Sequence, residues 1–153
     1  MRPSLQVNNR FPQLTYDESE ITRFFEFLDQ HKDLNIPQGE LSFNFVSNEE
    51  IAQLHNDFFQ DPTETDVITF TGDPDDDYAG DICVSVPYAE ESAKEYNTTL
   101  SEELSLYLIH GCLHLAGFDD IEEDDRLKMR EGEKILMTSV KEAGLIPQFQ
   151  FID

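Results

Sequence analysis

Cysteine is scarce in this chain: Cys83 and Cys112 are the only two, too few for a disulfide framework. Long apolar runs are missing as well. The opening Met1-Arg2-Pro3-Ser4-Leu5-Gln6-Val7 lacks the apolar stretch of a signal peptide, and no uncharged run elsewhere is long enough to span a bilayer. Basic residues are few, 10 Lys and Arg against 33 Asp and Glu, for a net charge of −23. That balance excludes a nucleic-acid module working by simple basic-patch attraction. Glycine and proline number 7 each, so the chain is neither collagen-like nor low-complexity. What remains is 153 residues, 39 % hydrophobic, the length of one domain with a real core. A soluble, acidic, cytoplasmic domain is expected.

Charge is also unevenly placed. Positions 33–93 hold no Lys or Arg, while Asp73, Asp75, Asp76 and Asp77 crowd one short stretch. Basic side chains gather at Arg2, Arg10, Arg23 and Lys32, and again at Arg126, Lys128, Arg130, Lys134 and Lys141. Either this dresses a solvated surface helix or it gives the molecule one basic face.

Hydrophobic periodicity sets out the elements. Leu5-Gln6-Val7 reads as a short strand. Ile21, Phe24, Phe25 and Leu28 recur at helical spacing over residues 17–31, with Asp17 and Glu20 placed to cap. Leu41, Phe43 and Phe45 alternate with polar residues, as in a strand with one buried face. Ser47 and Glu50 form a capping box before the stripe Ile51, Leu54, Phe58. Residues 59–65 read as a loop, 66–70 and 82–86 as two strands paired or adjacent, and the run from Gly72 to Gly80 as a solvated turn. A short helix is expected from Pro87 to Glu95. A strongly apolar one follows from a Thr99–Glu102 capping box to Gly117, and a last helix spans 122–143 with Leu127, Ile135, Leu136 and Val140 inward. The class expected is α+β, strands early and helices late.

The chemistry sits in His110-Gly111-Cys112-Leu113-His114-Leu115-Ala116-Gly117-Phe118-Asp119-Asp120. Histidines four apart on a helix differ by about 40° in azimuth, so both imidazoles face one side and can grip one metal ion. Gly117 lets the chain turn and bring Asp119 or Asp120 back as a third ligand. Three ligands leave a fourth position open, as in a catalytic zinc site. Cys112 projects about 200° from His110 and reads as a small buried apolar residue. The same spacing occurs in metzincin-type metallopeptidases, which need a Glu after the first His as general base. Gly111 stands there, which argues against peptide hydrolysis.

The motif closely resembles the H-G-x-L-H-L-x-G-Y-D-H signature of the YbeY family of bacterial rRNA maturation factors. Thr65-Asp66-Val67-Ile68-Thr69-Phe70 is similar to that family's T-D-V-L-S-F strand and Gly80-Asp81-Ile82 to its G-D-I strand. The helix from Glu102 to Leu108 is similar as well, so the likeness covers about residues 40–140. The resemblance implies a single domain over residues 1–153, with a small, mostly parallel four-stranded mixed sheet and about five helices. It implies a zinc-dependent endoribonuclease acting on single-stranded RNA, in small-subunit rRNA 3′-end maturation and ribosome quality control. Its partners would be rRNA and the small ribosomal subunit with its proteins; no membrane and no organic cofactor are involved. The metal ligands map onto His110, His114 and Asp120.

Two positions depart from the family pattern. Its third ligand is usually His, and Asp120 here should make the metal a weaker Lewis acid. Two His and one carboxylate also suit Fe2+ or Mn2+ beside Zn2+. Asp119 is a candidate to orient a ligand, or simply a cap on the turn after Gly117. The family's Arg, six residues before Thr65, is replaced by Phe59, which either stacks on a base or fills a core gap. No general base stands beside the motif, leaving metal-activated water or the RNA 2′-hydroxyl as nucleophile. The alternative function is a non-catalytic ribosome assembly factor with a structural metal, its acidic surface meeting a basic ribosomal protein.

Overall fold

A computed structural model describes residues 3–32, 34–60 and 65–152 of the chain. Four strands form the main sheet: β1 (Ser4–Asn9), β3 (Glu40–Val46), β5 (Tyr78–Ser85) and β4 (Val67–Asp73), in the spatial order β1-β3-β5-β4. β1 and β3 pair in parallel, as do β3 and β5, while β4 runs antiparallel against β5. This is the small, mostly parallel mixed sheet expected. The β4–β5 connection is a tight hairpin through one turn of 3-10 helix at Pro74–Asp76, so the strands reach further into the acidic stretch than the sequence suggests. The loop expected over 59–65 falls largely outside the described residues.

Among the described residues five α-helices accompany the sheet: α1 (Glu18–Asp29), α2 (Asn48–Phe59), α3 (Val86–Tyr96), α4 (Leu100–Leu115) and α5 (Glu123–Glu142). Side-chain caps start the first four. Asp17 accepts from the Ser19 N–H, Ser47 from Glu50, Ser85 from Tyr88 and Thr99 from Glu102. α1 lies between two parallel strands, so strands and helices alternate early in the chain rather than segregating. A second, two-stranded sheet, β2 (Leu14–Tyr16) with β6 (Phe149–Phe151), ties the C-terminal end of the chain to the start of α1.

The core forms where α1, α4 and α5 meet the sheet. Phe24, Leu28, Leu41, Phe43, Phe45, Ile82, Leu104, Leu108 and Leu113 are all buried. α4 is buried over most of its surface, which its near-continuous apolar run requires. Cys112 is buried as expected, and burial pushes its thiol up to about 12, which leaves it unreactive.

α5 corrects the sequence reading. Its inward stripe is Met129, Leu136 and Val140, whereas Leu127 and Ile135 are 60 % and 49 % exposed. Leu127 sits two residues from Met129, about 200° away on the helix, so one face cannot bury both. Phe58 likewise leaves the α2 stripe: it is exposed and packs edge-on against Phe70 with ring centroids 4.7 Å apart.

Candidate metal centre

The motif helix α4 presses its middle against the sheet at Gly111. A Cβ built on Gly111 would lie 2.6 Å from Ile82 Cγ2 and 2.8 Å from its Cδ1. The position where a metzincin-type peptidase carries its glutamate is therefore a contact surface with β5, where any side chain would force Ile82 to shift. Steric packing thus reinforces the argument against peptide hydrolysis.

α4 then stops in a Schellman turn. The Phe118 N–H donates to the Leu113 carbonyl at 3.0 Å and the Gly117 N–H to the His114 carbonyl at 3.1 Å. Gly117 takes a φ of +106°, where a side chain would be strained. This reversal carries Asp119 and Asp120 back along the helix end toward His114. Asp119 Oδ1 accepts from the Asp120 N–H at 2.7 Å, so Asp119 does hold the turn.

Ligand atoms of His114, Asp119 and Asp120 all lie within 4.8 Å of one another, a group able to hold a metal ion. His110 stands just outside that group. Its Nε2 lies 3.6 Å from Asp120 Oδ2, and its ring centroid is 6.0 Å from that of His114. His110 Nδ1 lies 2.7 Å from Glu133 Oε2 on α5, so Nδ1–H donates to the carboxylate and Nε2 is left facing Asp120. Burial alone would lower the His110 pKa. The hydrogen bond and charge of Glu133, with Asp120 and Asp66 beyond it, outweigh burial and raise it.

The sequence-expected residues His110, His114 and Asp120 line one small cleft of about 170 Å³, together with His55, Phe59 and Thr65. The donor set fits a divalent cation: two imidazoles, one already oriented by a carboxylate, and one or two carboxylates on a fixed turn. A groove of about 660 Å³, lined by none of the histidines, lies over the open face of the sheet beside Asn8, Asn44 and Asp81.

Three features escaped the motif. Glu133 orients His110 from a helix 23 residues away, with no local pattern to announce it. His55 lines the cleft from α2, its Nδ1 buried without a hydrogen-bond partner in the described structure. Phe59 is 56 % exposed, with its ring 5.2 Å from that of His55, so it fills no core gap and offers a face to the cleft instead. The only sequence clue to these last two was their place one helical turn apart, just before the Thr65 strand.

Fold and site together define a class: an α+β protein whose His-x3-His helix meets a carboxylate-bearing turn at one cleft. The sequence pattern of the family described as Endoribonuclease YbeY matches residues 6–141. The chain belongs to the YbeY family. It is 35 % identical to Endoribonuclease YbeY of Finegoldia magna, with 96 % of this chain and 98 % of that protein covered. It is 42 % identical to the Protochlamydia amoebophila protein of the same name, over 69 % of this chain and 73 % of that one. The solution structure of TM1509 from Thermotoga maritima superposes with a TM-score of 0.63 at 28 % identity, covering 90 % of this chain and 89 % of that chain.

Proposed function

We propose that the chain, as a single YbeY-like domain over residues 1–153, is a metal-dependent endoribonuclease that cuts single-stranded RNA. Its setting is the cytoplasm, where it acts in maturation of the small-subunit rRNA 3′ end and in ribosome quality control, with no organic cofactor. Among the described residues no helix is long and apolar enough to cross a membrane. The observation that carries this reading is that His110, His114 and Asp120 line one cleft in a chain of this family.

His110, His114 and Asp120 would hold the ion, with Asp119 at the same turn. A bound cation supplies Lewis acidity toward a phosphoryl oxygen and lowers the pKa of water. Zn2+ is the first choice, and two imidazoles with a carboxylate also accept Fe2+ or Mn2+. The protein does the positioning. Glu133 keeps the Nδ1 proton of His110 engaged so that Nε2 faces the site. Phe59, exposed at the cleft, provides a ring on which a base next to the cut can stack. The acidic exterior suits docking against basic ribosomal proteins of the small subunit.

Stripping the protein with a chelator tests the reading. Cleavage of a single-stranded RNA oligonucleotide should disappear and return on adding one equivalent of Zn2+, Fe2+ or Mn2+. Undiminished cleavage by demonstrably metal-free protein would overturn it in favour of a cation-independent site. No cleavage in any metal state would favour the assembly-factor role.

A further inference from the structure

The proposed substrate is a polyanion, and the chain holds 33 acidic side chains against 10 Lys and Arg. Only cations beside the cleft can meet the substrate's phosphates.

Beside the metal cleft lies a second depression of about 250 Å³ that shares His110 and Asp120 as walls. Its far wall carries Arg126 and Arg130 from α5. Four residues apart, they stand on one face of the helix, displaced by about 6 Å along its axis. Both are exposed. Among the described residues neither forms an ion pair with a carboxylate; Arg126 donates from Nη1 to the Ile121 carbonyl at 2.9 Å. That is notable where carboxylates outnumber cations threefold.

The acids facing the same depression are already engaged. Glu133 holds His110, Asp120 belongs to the metal group, and Asp66 accepts from the Val67 N–H at 2.8 Å. Arg130 also borders the next depression along, which carries Tyr96, 67 % exposed. That depression is also lined by Asp66, Glu91, Glu95 and Glu103, so the cationic stretch beside the metal cleft ends at Arg130.

Resting on the RNA-cleaving reading, we infer that Arg126 and Arg130 form a phosphate clamp that holds the RNA strand beside the metal centre. Arginine suits the task because its planar fork pairs with two phosphate oxygens at once.

The test is the salt dependence of binding and cleavage of a single-stranded RNA oligonucleotide, comparing wild type with Arg126→Gln/Arg130→Gln. The clamp predicts that the slope of log affinity against log salt shrinks by about 1.4, or about 0.7 for each lost phosphate contact on a single strand. The loss of kcat/KM should lie in KM, and bound metal and melting temperature should match wild type. Arg130→Gln alone, which removes a side chain with no ion pair, should give about half the change in slope, and lysine at both positions should restore most of it. A double variant with wild-type affinity and slope overturns the clamp while leaving the nuclease reading standing. A wild-type protein that neither binds nor cuts the RNA sinks both.

Discussion

His110 shows how a single side chain is prepared for a task. An imidazole has two nitrogens, and one hydrogen bond decides which of them faces outward. The Glu133 contact at 2.7 Å makes that choice in favour of Nε2. Replacing Glu133 by Gln removes the charge and should weaken metal binding about 10- to 100-fold with little change in fold. Competition of the apoprotein against a chromophoric chelator would measure it, and unchanged affinity would show that His110 needs no orienting partner. The histidine pair was legible from its spacing, and the glycine turn pointed to Asp119 or Asp120 as a third ligand; only the family resemblance singled out Asp120. Glu133 was not legible, since only the packing of α5 on α4 brings it to His110. For Phe59 the sequence left a core place and an exposed one both open; the helix buries Ile51 and turns Phe59 outward.

At the scale of elements, the decisive contact is α4 on β5. Gly111 lets the motif helix sit close to the sheet, which sets the height of His110 and His114 above it. Gly111→Ala pushes a methyl into the buried Ile82 side chain and should cost about 1–3 kcal/mol of overpacking. Helix propensity returns up to about 1 kcal/mol of that, leaving a net loss of up to about 2 kcal/mol. Urea denaturation would show it, and Ile82→Val in the same chain should recover part, making the pair less than additive. A Gly111→Ala protein as stable as wild type would mean the helix can lift without cost. The α4 helix was readable from its capping box and apolar run, and the four main strands from their alternation or β-rich composition. The β2–β6 pair was not, because each strand is three residues long and its pairing joins opposite ends of the chain. α5 was placed well in length, but its apolar residues exceed one face, and the packing of α4 selects which of them are buried.

Charge is the property of the whole molecule. Even if every Lys and Arg held one carboxylate, a net charge of −23 would remain, and the compact state bears that self-repulsion. Added salt screens it within a Debye length of about 10 Å at 0.1 M. The melting temperature should therefore rise between low and moderate NaCl, while RNA affinity falls over the same range as counterion release is lost. Thermal melts and binding titrations on one salt series would check both trends; a melting temperature that falls with salt would show that the ion pairs outweigh the repulsion. The opposed responses have separate sources: the excess of acids over the whole chain, and the two arginines beside the cleft.

The most direct measurement of the central claim is RNA cleavage by His114→Ala beside wild type, with metal content and melting temperature determined on the same preparations. The account predicts a folded variant that has lost both its metal and its cleavage, against a wild type carrying about one metal ion per chain. A folded His114→Ala protein that cuts the same RNA at the wild-type rate would contradict it.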